Sequence, residues 1–272
     1  MDNNDYIGVF DSGLGGLTVV KSIVDTMPDE NIIYFGDTAH VPYGTRSKLQ
    51  IIKYVTDDIY FLMHFNVKAI AIACNTADSV AREEVSPFYD VPIFGVVDPA
   101  SQKAAQSTKN GKIGVIATNA TVNSGAYEKA IHKVNPSLEV YAQPCPLLVP
   151  LVENSRYSRD DVVIETVLRE YLAPLEASGI DTLLLGCTHY PLLTDIISYI
   201  MPDVTIISSS DAAAQKLKDE LTKRNMLTDR KGGKREYFVS DDPENFAKTA
   251  RIFLGEMPVS GARHMSEIIK EI

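Results

Sequence analysis

The chain has 272 residues, of which 45% are apolar and 23% are charged. That length can bury a substantial core, in one large domain or two of ordinary size. The formal net charge of -10 argues against nonspecific binding to nucleic acid and against adhesion to an anionic membrane, since both require clustered Lys and Arg. No apolar run is long enough to span a bilayer and the N-terminus lacks a secretory signal, so we expect a cytoplasmic protein.

Short apolar segments alternate with stretches of helical period along the first hundred residues. This alternation predicts parallel strands joined by crossover helices. The predicted strands are 7–11, 31–37, 69–74 and 91–97, and the predicted helices are 16–27, 47–65 and 76–88.

The same design restarts in the second half of the chain. Segment 112–122 resembles the start of the chain, because each is a strand that enters a turn of small and polar residues before a helix. Segment 181–191 likewise resembles the region of Cys74. We therefore predict an α/β protein of two pseudosymmetric lobes, each an open, mostly parallel sheet flanked by helices, with the active site in the cleft between them. A tail follows with a helix at 212–225, a strand at 235–240 and a further helix, and the pattern alone does not decide which lobe it joins.

Cysteine is rare in this chain and widely spaced. Cys74, Cys145 and Cys187 are an odd number, which fits neither a disulfide framework nor a structural zinc site, so we expect reduced thiols and no metal. Cys145 has no obvious adjacent base and is interpreted as a buried structural residue.

The other two cysteines each end a predicted strand. Cys74 precedes a helix whose N-terminus should favour a thiolate and lower the pKa of the cysteine. Cys187 has His189 two positions later, a group able to accept a proton from the thiol or hold it in its reactive form. Asp11, at the end of the first strand, can orient a neighbouring acid or base. Loops 36–44 and 117–122 add hydroxyl, amide and glycine N–H groups suited to bind carboxylate and ammonium groups.

Two thiols that face one cleft have four chemical uses. They could form a redox disulfide, bind a soft metal, act as a single nucleophile, or move protons. A redox pair usually has close cysteine spacing, a metal requires further ligands, and a single nucleophile leaves one thiol idle. Proton transfer uses both, because one thiolate removes a proton from a carbon while the opposite thiol delivers one to the other face.

Six motifs in this order, FDSGLGG, GDTAHVPYG, ACNTADS, ATNAT, CPLLVPLVE and GCTHYP, closely resemble those of the glutamate racemases, which are cofactor-independent two-cysteine amino-acid racemases. The resemblance runs from about residue 7 to residue 210. It implies interconversion of L- and D-glutamate for bacterial peptidoglycan, no cofactor, and often a homodimer. It also implies that the tail returns to the first lobe, which gives lobes of residues 1–97 with 211–272 and of residues 98–210.

The resemblance implies a role for individual residues. Cys74 is similar to the acid/base catalyst that acts on D-glutamate and Cys187 to the one that acts on L-glutamate. Asp11 resembles the group that supports Cys74, and Glu153 and His189 resemble those that support Cys187. The implied substrate contacts are Asp11, Ser12, Pro42, Tyr43, Gly44, Asn75, Thr76, Thr118, Thr121, Thr188 and His189.

Two other functions remain open at this point. An aspartate racemase or another two-cysteine racemase would keep the thiols and change the pocket. A non-catalytic two-lobed amino-acid-binding protein would bind glutamate without exchanging its α-proton. The N-terminus is shorter than in family members that a peptidoglycan precursor activates, so we expect no activation; a many-fold rise in turnover with UDP-MurNAc-L-alanine would refute this.

Overall fold

The computed structural model describes residues 2–255, 257 and 261–269. Within these residues the chain forms ten strands. They are β1 (Tyr6–Asp11), β2 (Ile32–Gly36), β3 (Val67–Ile72), β4 (Ile93–Phe94), β5 (Lys112–Ala117), β6 (Glu139–Pro144), β7 (Thr182–Gly186), β8 (Thr205–Ser208), β9 (Arg235–Val239) and β10 (Arg263–His264).

Thirteen α-helices lie in the same described part of the chain. They are α1 (Leu17–Thr26), α2 (Lys48–Leu62), α3 (Asn75–Val85), α4 (Val97–Ser107), α5 (Asn119–Ser124), α6 (Ala126–Val134), α7 (Leu148–Glu153), α8 (Val162–Ala177), α9 (Thr194–Ile200), α10 (Ser209–Lys223), α11 (Pro243–Thr249), α12 (Arg251–Leu254) and α13 (Ser266–Ile269). No helix in those ranges is both long and apolar enough to cross a bilayer.

The strands form two separate sheets, and within each sheet all neighbouring strands pair in parallel. The first has the order β10-β9-β2-β1-β3-β4 and the second the order β6-β5-β7-β8, as far as the described residues go. Three inner strands, β2, β3 and β7, are buried along their whole length, as is typical of a parallel sheet covered by helices. The predicted fold class is confirmed. We use the names first lobe and second lobe for these sheets with their helices.

The tail of the chain adds to the first sheet, because β9 pairs with β2 over Arg235 to Val239. Helix α10 packs on α1 in the first lobe and on α4 in the second. One apolar core therefore runs from Leu17 and Val20 through Leu217 to Leu183 and Leu185. The lobe boundaries at residues 97 and 211 stay a prediction.

One predicted strand is shorter than its sequence indicates. Segment 91–97 pairs with β3 only at Ile93 and Phe94, and Val97 already begins α4. The buried carboxylate of Asp78 accepts a 2.7 Å hydrogen bond from the Val97 N–H. This hydrogen bond turns the chain out of the sheet where it crosses to the second lobe. The apolar run in the sequence gives no sign of such a bond.

A buried ion pair ties the tail to the first sheet. Lys68, on β3, has its Nζ 2.5 Å from Glu30 Oε2, and both side chains are almost fully buried. The ammonium also donates to the carbonyls of Asn3 and Met226, at 2.6 and 2.8 Å. The other oxygen of Glu30 accepts from the Thr228 N–H. Charges removed from water in this way require every partner to be present.

Lys68→Met is expected to lower the free energy of unfolding by about 3–5 kcal/mol, because it leaves the Glu30 carboxylate buried without its counter-charge. Urea denaturation of the purified protein measures the change. Lys53→Met is the matched control: that lysine pairs with Asp57 on the exposed face of α2, and its loss should change the free energy of unfolding far less. Equal losses in the two variants would contradict the assigned role of the buried pair.

Candidate active site

Four predicted site residues follow the carboxyl ends of inner strands. In the first lobe, Asp11 ends β1 and Cys74 lies two residues after β3. In the second lobe, Thr118 follows β5 and Cys187 follows β7. Parallel strands collect such residues along one edge of each sheet.

The two edges meet. Thr188 Oγ1 lies 3.5 Å from Asp11 Oδ1, and Thr18 at the start of α1 donates to the Thr188 carbonyl at 3.0 Å. The loop after β1 carries glycine at the closest point, since a Cβ on Gly15 would lie 2.2 Å from Thr188 Oγ1 and 2.5 Å from His189 Nδ1. A side chain there would separate the two loops.

Cys74 is buried, with 6% of its surface exposed, and its sulfur caps helix α3. The thiol donates to Ser12 Oγ and accepts from the Ala77 N–H, both at 3.5 Å. Burial, followed by the negative charge of Asp11, raises the pKa of Cys74 to about 12, against the lowering effect of those hydrogen bonds. The predicted lowering of its pKa by the helix N-terminus is therefore wrong. The desolvation of the anion outweighs the helix field, and the thiol is neutral in the free protein.

Cys187 has a different environment. Its sulfur lies 3.9 Å from His189 Nδ1, and His189 Nε2 lies 2.9 Å from a carboxylate oxygen of Glu153. Burial acts to lower the pKa of His189, but the hydrogen bonds to Cys187 and Glu153 outweigh it and raise the pKa to about 10. The imidazole is thus a cation at neutral pH, next to the sulfur and held by a carboxylate behind it.

Asp11 interacts electrostatically with both Cys74 and His189. Burial raises its pKa, while the charge of His189 and the N–H groups of Gly13 and Gly16 act in the opposite direction. The Gly13 N–H donates to Asp11 Oδ2 at 3.0 Å. Asp11 is therefore within electrostatic reach of both thiol environments.

Hydroxyl groups from the two lobes form a cluster beside Cys74. Thr76 Oγ1 lies 2.9 Å from Thr118 Oγ1 and 3.2 Å from Thr121 Oγ1, and the last two are 3.0 Å apart. Gly44 packs against Thr118 so closely that an added Cβ would lie 3.0 Å from the threonine Cβ. This cluster is neutral and rich in donors, as sites for anionic or zwitterionic ligands often are.

The loop that holds Tyr43 is fixed by two buried carboxylates. The tyrosine hydroxyl lies 2.6 Å from Asp37 Oδ2 and 2.9 Å from Asp58 Oδ2. Its single proton is shared between the two carboxylates, since both lie within hydrogen-bond distance. Burial and the neighbouring Asp37 raise the pKa of Asp58 well above its usual range.

The sequence prediction did not include Asp58. A signal was present, because Asp58 occupies the apolar face of α2 together with Tyr54, Val55 and Leu62. A carboxylate at such a position is seldom buried without a partner.

The remaining predicted residues vary in accessibility. Tyr43, Asn75, Thr76, Thr121, Thr188 and His189 are buried; Ser12, Gly44, Thr118 and Glu153 are half-buried; and Pro42 is exposed. Cys145 is buried, and its thiol donates to the Gln143 carbonyl at 3.5 Å. Among the described residues, no three His, Cys, Asp or Glu side chains are grouped to hold a metal ion.

Comparison with known proteins adds independent findings. The family model for Asp/Glu/Hydantoin racemase matches residues 7–217. The glutamate racemase of Persephonella marina is 46% identical to this chain, over 92% of it and 93% of the relative. A glutamate racemase isoform of Bacillus anthracis superposes with a TM-score of 0.91 at 38% identity, over 94% of this chain and 96% of that one.

A second solved structure carries a ligand. The glutamate racemase of Francisella tularensis, in complex with D-glutamate, has a TM-score of 0.89 and 38% identity to this chain. The match covers 96% of this chain and 97% of that one. With this extent of similarity in both sequence and structure, the chain belongs to the Asp/Glu/Hydantoin racemase family.

Proposed function

We propose that this chain interconverts L- and D-glutamate by a two-base proton transfer at the α-carbon. The observation that carries the proposal is the buried contact between Asp11, whose charge acts on Cys74, and Thr188, the residue after Cys187. The likeness to glutamate racemases over more than nine-tenths of the chain supports glutamate as the substrate. By the same likeness, the enzyme works without a cofactor.

In the direction from L- to D-glutamate, Cys187 acts as the base and removes the α-proton. The imidazolium of His189, 3.9 Å from the sulfur, stabilises the thiolate form that does this, and Glu153 stabilises the imidazolium. The neutral thiol of Cys74 gives its proton to the opposite face of the same carbon. Two proton transfers invert the stereocentre and leave no net change in charge.

After this turnover Cys74 is the thiolate and Cys187 is the thiol, so the enzyme is set to act on D-glutamate. The Ala77 N–H and the Ser12 hydroxyl are the groups that can hydrogen-bond to the Cys74 anion. Asp11 opposes that anion and so favours return of the proton to Cys74. Reversal of the two roles completes the cycle.

Removal of an α-proton places negative charge on the α-carbon and, by delocalisation, on the carboxylate oxygens. The hydroxyls of Thr76, Thr118 and Thr121 and the N-termini of α3 and α5 are the groups we assign to stabilise that charge. Their hydrogen bonds are stronger in a site from which water is excluded. These groups, with Ser12, Pro42, Tyr43, Gly44, Asn75, Thr188 and His189, make up the proposed substrate site.

An aspartate racemase and a non-catalytic amino-acid-binding protein are the rivals. Incubation of the enzyme with D-glutamate or D-aspartate in D₂O separates all three. Loss of circular dichroism with deuterium at the α-carbon of glutamate supports the proposal. The same result with aspartate alone favours the first rival, and binding without deuterium incorporation favours the second.

The cellular role follows from the product. D-Glutamate made by this enzyme would supply peptidoglycan synthesis, and the enzyme would be a cytoplasmic homodimer like many members of the resembled family. Sedimentation equilibrium tests the assembly: a mass twice that of the chain supports a dimer, and a single-chain mass contradicts it.

Cys74→Ser and Cys187→Ser are each expected to lower racemisation by about 100-fold or more in both directions, because each turnover requires both acid/base groups. Circular dichroism decay from each enantiomer gives the rates. Cys145→Ser is the matched control, since this third buried thiol only donates to a backbone carbonyl, and it should retain most activity. Near-normal rates in either of the first two variants would overturn the two-base mechanism.

Glu153→Gln is expected to lower the pKa of His189 from about 10, because the imidazolium loses its carboxylate partner. NMR titration of the ring measures this shift. Racemisation should fall by about tenfold, since less cation remains to hold the Cys187 thiolate. Glu176→Gln, an exposed change on α8, is the control and should affect neither the shift nor the rate.

The same variant changes how stability depends on pH. The pKa of His189 is higher in the folded state, about 10, than the value of about 6.5 expected for an unfolded chain. The stability from its proton is therefore complete below about pH 6.5 and is lost progressively as the pH rises towards 10. Between about pH 6.5 and 8, urea unfolding of Glu153→Gln should show a smaller loss than the parent; an equal loss would exclude His189 as its source.

A further inference from the structure

The side-chain amide of Asn75 is only half satisfied. This residue begins α3 directly after Cys74, and 2% of its surface is exposed. Its Oδ1 accepts a short hydrogen bond from the Tyr127 hydroxyl. Its Nδ2 is buried and has no hydrogen-bond partner among the described residues. An unpaired buried donor is destabilising, so its presence points to an acceptor that arrives with a ligand.

Tyr127 reaches this amide from the other lobe. It is the second residue of α6, and 4% of its surface is exposed. Its ring lies against Gly186, where an added Cβ would be 2.9 Å from Tyr127 Cε2. Gly186 precedes Cys187, so Tyr127 contacts the segment of one thiol and hydrogen-bonds the residue after the other.

The Tyr127 hydroxyl is neutral at ordinary pH and hydrogen-bonds to the amide as a donor. Burial, followed by nearby negative charges, raises the pKa of Tyr127 well above its usual value. Its proton therefore stays in place and requires an acceptor, which the amide oxygen provides. With that oxygen engaged, the NH₂ end of Asn75 is the one left to face a ligand.

We propose that Tyr127 is a positioning residue, whose hydroxyl bond to Asn75 Oδ1 aims the unpaired Nδ2 at a carboxylate of bound glutamate. The inference rests on the proposed function for its ligand. An amide held in this orientation attracts a carboxylate, whereas one rotated by 180° presents its oxygen and repels it. The hydrogen bond from Tyr127 in the second lobe thus decides whether Asn75 in the first lobe attracts or repels the carboxylate.

Tyr127→Phe removes the hydroxyl and retains the ring. The KM for both enantiomers is expected to rise about tenfold, equivalent to about 1.4 kcal/mol, with kcat changed less than twofold. The split arises because the contact binds substrate and transition state alike. Tyr141→Phe is the matched control, since its hydroxyl bonds to exposed Glu139 in the same lobe. A lower melting temperature with an unchanged KM would show a purely structural role and overturn the inference.

A double-mutant cycle tests whether Tyr127 acts through Asn75. In an Asn75→Ala background, which itself raises KM, Tyr127→Phe should change KM by less than twofold. A further tenfold rise in that background would show that the hydroxyl acts elsewhere and would overturn the inference. Asn75→Asp should bind more weakly than Asn75→Ala, because its carboxylate repels the ligand; equal or tighter binding contradicts the proposed contact.

A measurement on the unaltered enzyme covers the case in which Tyr127→Phe does not fold. The ¹⁵N-labelled side-chain NH₂ of Asn75 should move downfield when D-glutamate is added, and an unchanged signal with saturating ligand overturns the inference. Failure of the proposed function is distinguishable, because the parent enzyme would then not incorporate deuterium into glutamate. Racemisation by the parent with no KM effect in Tyr127→Phe would remove only the role of Tyr127.

Discussion

The close contact between the loop after β1 and the loop after β7 is the constraint on which the rest of this structure depends. Each loop leaves a buried parallel strand of a different sheet, and they touch where Thr188 meets Asp11. Gly15 permits that approach, because any side chain there would collide with Thr188 and His189. The contact brings two separately built strand edges to one place. Without it, the segments that carry Cys74 and Cys187 would remain on separate lobes.

The charge of the ionisable groups at this seam depends on the balance between their burial and their charged or hydrogen-bonding partners. Cys74 keeps its proton although it caps a helix, since desolvation and Asp11 outweigh the N–H donors. His189 gains a proton although it is buried, because Glu153 and Cys187 hydrogen-bond to it. The pKa of Asp58 is raised by its burial and by the neighbouring Asp37. Each group is fixed in one state by partners from another segment.

The sequence predicted the parts of the fold that depend on local pattern. It predicted the strands that end at Asp11 and near Cys74, and the helices between them, to within a few residues of their bounds. Hydrophobic periodicity and the residues that begin and end helices encode these elements. Strand β6 was missed, since its side chains are half-buried or exposed and it lacks an apolar run. The strand predicted at 91–97 was wrong over most of its length, because Asp78 on helix α3 accepts a hydrogen bond from the Val97 backbone N–H.

The candidate site shows the same division. Motif resemblance was sufficient to single out the residues at the strand ends. The raised pKa values of Cys74 and Asp58 and the Tyr127 bond to Asn75 each depend on groups far apart in the chain. No single stretch of sequence contains such information, since desolvation and cross-lobe hydrogen bonds exist only after the lobes pack.

The unequal surroundings of the two thiols have a thermodynamic consequence. Free L- and D-glutamate are mirror images of equal energy in water, so the overall equilibrium constant between them is one. The Haldane relation then forces kcat/KM to be identical in the two directions, however different the cationic partner of Cys187 is from the neutral partners of Cys74. An asymmetric enzyme can have different kcat and KM values for the two enantiomers, provided that the ratio kcat/KM is the same for both. It can therefore turn over one enantiomer faster than the other at saturating concentration, but at low substrate concentration it acts on both enantiomers at the same rate.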